Sequence, residues 1–165
     1  MPKQFIPAVE AGVHEFLRRG PLGFQVVDLA VTLTDGQFHA VDSSEMAFKT
    51  AGSLAVREGM PKCAPVLLEP ICAVTISLPS EFTPRVQRLI SGRRGQLLGF
   101  DAKPRWKGWD EVKVQMPQAG LSDLINELRS ITLGVGSFEW EFDHLQEFTG
   151  KPADDVVSQR AKALH

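Results

Sequence analysis

The sequence holds only two cysteines, Cys63 and Cys72, and they lack the CxxC spacing of a zinc or redox site. They read as two reduced thiols in a cytosolic chain. Long apolar runs are missing too, since none approaches the ~20 residues a membrane span requires. No charged N-terminal region leads into a long apolar stretch, so no signal peptide is expected. The chain has neither a GxxxxGK[ST] loop nor a strand-following GxGxxG, the motifs that cradle nucleotide phosphates. No serine sits in a nucleophile elbow. Charge of one sign is not in excess: 18 Lys and Arg stand against 20 Asp and Glu, a net charge of −2. That balance excludes a uniformly basic nucleic-acid binder but permits a local basic patch.

What is present is globular in kind. The 165 residues are 43% hydrophobic and 23% charged, values that suit one ordinary domain or two small ones and exclude a disordered chain. Residues 6–19 read as a helix, with Pro7 in its first turn and Val9, Val13, Phe16 and Leu17 on one apolar stripe. Gly20-Pro21 stops it. Across residues 24–34, Val27, Leu29, Val31 and Leu33 alternate with more polar neighbours, which predicts a strand. Asp35-Gly36 is a tight-turn signal, and a short extended segment at 38–41 follows. Asp42 or Ser43 can cap the next helix, expected over 43–58; with Asp42 as cap, Glu45 completes a capping box. Met46, Ala47, Ala51, Leu54 and Ala55 are expected to face inward, and Gly59 to take the C′ position. This block, residues 1–64, has one long strand and no partner for it, so an unsatisfied strand edge is expected, through which copies can self-associate.

Residues 60–70 carry three prolines and read as a linker. The second block, 65–147, repeats a simpler order. Cys72, Val74, Ile76 and Leu78 alternate on a strand. Thr83-Pro84 open a helix bearing Val86, Leu89 and Ile90. Residues 96–100 form a short strand, 101–108 a polar loop, and Val112, Val114 and Met116 a further strand. Leu121, Leu124, Ile125 and Leu128 mark a second helix, and Gly134-Val135-Gly136 breaks it. Phe138, Trp140 and Phe142 alternate with Glu139, Glu141 and Asp143 on a last strand. The order β-α-β-β-α-β is that of a ferredoxin-like fold: a four-stranded antiparallel sheet with both helices on one face. The fold class is therefore α+β, an incomplete first segment followed by a ferredoxin-like domain. Residues 148–165 form a tail in which Pro152 can start a helix.

Candidate chemistry is sparse. His39 and Glu45 can be drawn as an acid–base pair, but nothing else in the sequence builds a pocket around them. Glu139, Glu141 and Asp143 read as the solvent face of a sheet. No catalytic, cofactor-binding or metal-ligating residue is assigned. Gly92-Arg93-Arg94-Gly95 can hold an anion through backbone N–H groups and two guanidiniums, or can simply turn a helix into a strand. Arg85, Arg88, Arg93, Arg94, Lys103, Arg105 and Lys107 concentrate positive charge, with Trp106 and Trp109 interleaved. Such a mixture suits RNA phosphates and base stacking, or a solvated loop.

Several stretches resemble bacterial elongation factor G: residues 2–13 (Pro-Lys-Gln-Phe-Ile-Pro-Ala-Val-Glu-Ala-Gly-Val), Gly20-Pro21-Leu22, Val26-Val27-Asp28, Val41-Asp42-Ser43-Ser44-Glu45-Met46-Ala47-Phe48, and Pro65-Val66-Leu67-Leu68-Glu69-Pro70-Ile71. Arg93-Arg94-Gly95 and Leu128-Arg129-Ser130 continue the likeness. The resemblance implies the second part of domain IV followed by domain V, in a cytoplasmic translational GTPase. Its G domain, with GTP and Mg, would lie outside this chain, so the chain itself needs no cofactor and is no enzyme. The implied partner is the ribosome. His39, with Gln37 and Asp42, falls at the family's tip loop, which meets the tRNA–mRNA complex at the decoding site. Arg93, Arg94 and Gly95, with Lys103 and Arg105, fall where domain V meets rRNA near the GTPase-associated centre. Gly134-Val135-Gly136 lacks the family's usual intervening Arg, and residues 103–110, with two tryptophans, are longer than its common form. Both departures imply a divergent elongation factor G-like branch. The alternative is a stand-alone ferredoxin-like regulatory or small-molecule-binding module.

Overall fold

A computed structural model describes residues 1–164 and divides into two units. One comprises Met1–Leu67 together with the C-terminal segment from Thr149; the other is Leu68–Phe148.

In the first unit, α1 (Ile6–Leu17) starts with Pro7 in its first turn. It ends short of residue 19 because the N–H groups of Arg19 and Gly20 both turn back to the carbonyl of Phe16, at 3.2 and 2.9 Å. Helix α2 (Glu45–Gly59) is capped by Ser44, whose Oγ accepts from the Ala47 N–H at 3.1 Å. The expected caps, Asp42 and Ser43, lie outside the helix, and Glu45 is its first residue, so no capping box forms. The expected inner face is also displaced: Phe48, Gly52 and Val56 are buried, while Met46 and Leu54 are 68% and 44% exposed. The reason is a backbone-to-backbone approach. A Cβ on Gly12 would stand 1.9 Å from the Lys49 carbonyl oxygen, and one on Gly52 would stand 2.6 Å from that of Val9. Glycine lets the helices meet along a seam that apolar periodicity does not mark. Phe5 stacks on Phe48 beside it, with centroids 4.6 Å apart. Gly59 keeps a helical φ of −78° and the chain runs on through a 3-10 turn, Met60–Cys63; Ala64, at φ 48°, takes the left-handed position expected of Gly59.

The strands expected over 24–34 and 38–41 do not form; this stretch is extended chain without a ladder. Val26 donates to the Leu17 carbonyl at 2.8 Å, and among the described residues no backbone N–H from 27 to 38 finds a backbone acceptor. Strand propensity is realised only when a partner supplies the ladder, and none is present among the described residues. The alternation nevertheless persists: Leu29, Val31 and Leu33 line one wall of a groove of about 300 Å³, with Val9, Val13 and Leu17 of α1 on the other.

The second unit runs β1 (Leu67–Pro79), α3 (Thr83–Gly92), β2 (Gln96–Ala102), β3 (Trp109–Pro117), α4 (Leu124–Ile131), β4 (Ser137–Phe148), in the sheet order β2-β3-β1-β4. This is the ferredoxin-like α+β arrangement, with β3 antiparallel to both β1 and β2. Part of the stretch expected as a linker is the start of β1; pairing to β3 begins only at Ile71 opposite Pro117, one residue beyond Pro70, which has no N–H to give. Cys72, Val74, Ile76 and Leu78 meet Val112, Val114 and Met116, with Val86 and Ile90 of α3 and Leu124 and Leu128 of α4, in one buried core. Burial raises the Cys72 thiol pKa, leaving it an inert core group. Thr132, fully buried, donates to the Leu128 carbonyl at 2.7 Å and accepts from Gly136 N–H at 2.8 Å, closing α4. Strand β4 lies at a sheet edge, and only Phe138 of its aromatic row packs on the core; Trp140 and Phe142 are 50% and 58% exposed. The tail forms α5 (Lys151–Ala163), which clusters with the first unit: Arg160 Nε donates to the Gly23 carbonyl at 3.0 Å.

Candidate nucleic-acid interface

Three separate places carry the residues singled out by sequence. The first is the turn before α2. Gly36 N–H donates to Asp35 Oδ1 at 2.7 Å, a local Asx contact rather than a hairpin. His39 and Ser43 close a turn on each other: His39 N–H donates to Ser43 Oγ at 2.9 Å and Ser43 N–H to the His39 carbonyl at 3.0 Å. Ser43, one of the expected helix caps, thus holds the turn instead. Gln37, His39 and Asp42 are all exposed, and their side chains make no hydrogen bond or ion pair among the described residues. The turn therefore presents three unengaged polar side chains on a short, locally braced loop. His39 and Glu45 share no contact here.

The second and third lie at the two ends of β2: the end of α3 before it and the β2–β3 loop after it. Arg93 lies inside the fold. Its Nη1 donates to the Gly120 carbonyl at 2.7 Å and to the Ser122 carbonyl, and its Nη2 meets Glu127 at 2.7 Å, with only 16% of the side chain exposed. Arg94, at φ 61°, grips Glu69 with two guanidinium nitrogens at 2.5 and 3.1 Å and lies over Phe148 at 4.7 Å. That bidentate bond raises the Arg94 pKa further still. Gly95 is required by packing: a Cβ there would stand 2.4 Å from Ile90 Cγ2 and 3.0 Å from the Ile90 carbonyl oxygen. This turn is fully explained as a joint between α3 and β2.

Lys103 likewise has internal partners: Ser77 Oγ at 2.8 Å, Glu111 at 3.8 Å and the Trp106 ring at 4.5 Å. Arg105 differs. It is exposed, sits at φ 67°, and among the described residues makes no ion pair or side-chain hydrogen bond, as is true of Lys107. The structure therefore brings Lys103 and Arg105 together with Trp106, Lys107 and Trp109, and it separates them from the engaged pair Arg93 and Arg94. The aromatic contribution is visible in the sequence as Trp106 and Trp109; the division of labour among the cations needs coordinates. Among the described residues no group of three or more His, Cys, Asp or Glu is placed to hold a metal, and no helix is long and apolar enough to cross a membrane.

The fold and these surfaces define a class: a ferredoxin-like domain preceded by a helix-pair segment, with exposed cations and aromatics at the β2–β3 loop. The family model for elongation factor G, domain IV, matches residues 1–64, and that for the elongation factor G C-terminus matches residues 66–156. The chain belongs to the elongation factor G family. An elongation factor G-like protein of Synechocystis is 59% identical over 156 residues, covering 94% of this chain and 23% of its own length. A crystal structure of a Thermus thermophilus protein superposes with a TM-score of 0.86 at 32% identity, covering 98% of this chain and 24% of that one. The chain thus spans about a quarter of the length of these relatives.

Proposed function

We propose that this chain is the C-terminal, ribosome-contacting part of an elongation factor G-like translational GTPase acting in elongation and translocation, whose GTP and Mg site lies in a G domain outside it. The observation that carries this reading is the paired match of domain IV and C-terminal family models in their family order. Within it, the exposed turn with Gln37, His39 and Asp42 serves as the tip directed to tRNA and mRNA at the decoding site. Arg105, with Lys103 in support, serves the rRNA contact at the β2–β3 loop; Arg93, Arg94 and Gly95, at the other end of β2, serve it by fixing the α3–β2 joint. Its setting is the cytoplasm, with no membrane partner. The polypeptide should pellet with ribosomes at low salt and be released as salt rises, because phosphate contacts displace counterions. It should not turn over GTP. Failure to pellet at any salt, or measurable GTP hydrolysis by the purified chain, would overturn the reading. The unpaired backbone at 27–38 also offers an edge for self-association, expected as concentration-dependent dimerisation in sedimentation equilibrium.

A further inference from the structure

Residues 103–109 form two successive tight turns. Trp106 N–H donates to the Lys103 carbonyl at 3.1 Å, and Trp109 N–H to that of Trp106 at 3.2 Å. Pro104 then occupies the second turn position and Arg105, at φ 67°, the third; Lys107 and Gly108, at φ 78°, repeat the pattern. This is the φ pattern of type II turns, in which the third position ordinarily belongs to glycine. Gly108 obeys that preference and Arg105 does not. An arginine held in a left-handed conformation is kept at a conformational cost, and such residues concentrate at working sites.

The loop is braced at its base. Ser80 N–H donates to the Gly108 carbonyl at 2.9 Å, and Asp110 accepts from Ser80 Oγ and Thr83 Oγ1, both at 2.7 Å. Asp110 is thereby engaged, and Glu111 faces Lys103. Arg105 and Lys107 are left as the loop's uncompensated cations among the described residues. Between them stands Trp106, half exposed. Lys103 lies against its ring, and Trp109 meets it edge-on at 4.9 Å and 78°. The indole is fixed by two neighbours and still offers surface to solvent.

The rest of the sheet's helix-free face offers no such platform. Its central pairs are Ala73 opposite Gln115, Thr75 opposite Lys113 and Ser77 opposite Glu111, with Asp143 accepting from Gln115 at 3.1 Å. Ferredoxin-like RNA binders that stack bases on central strands need aromatics there. Phe100, Trp140 and Phe142 are exposed on β2 and β4, but it is Trp106 that stands between the free cations Arg105 and Lys107.

We infer that the 103–109 loop is a single-base docking site: an unpaired RNA base stacks on Trp106 while its flanking phosphates meet Arg105 and Lys107. Lys103 is a positioning residue that holds the indole. The inference rests on the proposed RNA contact and specifies the RNA feature read. RNA is favoured over a protein partner because residues 103–109 carry three cations and no carboxylate, a charge pattern suited to phosphates.

The test uses the full chain with two RNA probes of equal length, a hairpin with an unpaired purine loop and a blunt duplex. Tighter binding to the hairpin is expected, with quenching of tryptophan fluorescence that W106F diminishes. Base–aromatic stacking predicts a loss of roughly tenfold or more in hairpin affinity for W106A, with W106F retaining most of it. R105G should weaken binding of both probes while raising the melting temperature, since it relieves the positive φ. Equal affinity for hairpin and duplex, or W106A binding like wild type, would overturn the stacking site; a retained loss in R105A/K107A would then leave the broader RNA reading standing. Absence of both RNA and ribosome binding would overturn that reading itself. Trp106-dependent binding to rRNA-free ribosomal proteins without RNA binding would also refute the inference.

Discussion

Arg93 and Arg94 are neighbours in sequence and hold different things. Arg93 serves two carbonyls and Glu127, so R93A strips partners from the segment between β3 and α4. Arg94 pairs with Glu69, which is only 12% exposed, and R94A leaves that carboxylate short of partners. Each substitution is expected to cost about 1–3 kcal/mol in urea denaturation, the penalty for stranding shielded polar groups. Ribosome binding by an R93A/R94A double variant would therefore confound folding with contact, and R105A/K107A is the cleaner probe. At Gly95, an added methyl meets Ile90 and Val114, and G95A should lose about 1–3 kcal/mol by overpacking. His144 gives a pH test. Its pKa is raised chiefly by the hydrogen bond to Asp143 at 2.5 Å, which outweighs desolvation. A folded-state value above the unfolded one means the pairing stabilises fully below about pH 6.5 and is lost as pH rises through the raised value. An NMR titration should show a His144 midpoint above the ordinary one, and D143N should return it downward; an unchanged midpoint in D143N would refute the assignment.

At the scale of elements, the two helix starts before α1 and α2 behave differently. Only Ser44 caps by side chain, so S44A should cost about 1 kcal/mol in thermal unfolding of the first unit, whereas D42A should cost little. The α1–α2 seam is less forgiving. G12A or G52A would set a Cβ against backbone carbonyls that no rotamer change can move, with an expected loss of about 3 kcal/mol or more. These elements also show what a sequence can carry. The second unit is legible because β1 and β3 alternate and each helix has its own start and stop, so Val74, Ile76, Val112 and Leu128 fall where alternation and 3-4 spacing put them. The first unit is legible only in part. Its 24–34 alternation is real and Leu29, Val31 and Leu33 use it, yet a ladder needs a second strand that no local signal can supply. Apolar spacing points to the wrong face of α2 because glycine contacts choose the buried one. The Trp106 corner is visible in composition, but which cations remain free depends on tertiary partners: Glu127 and Glu69 engage Arg93 and Arg94 at the α3–β2 turn, and Ser77 and Glu111 engage Lys103 at the corner.

For the whole molecule, each unit carries its own exposed surface: a polar, locally braced turn in the first, and a cation-flanked indole beside the ferredoxin-like sheet in the second. The most direct test is footprinting of rRNA on ribosomes saturated with this chain at low salt. Protection is expected at both the decoding site and the GTPase-associated centre, with the latter lost in R105A/K107A and both fading as salt rises. An rRNA protection pattern identical to that of free ribosomes, under conditions where the chain is shown to be folded and in excess, would contradict the proposed function.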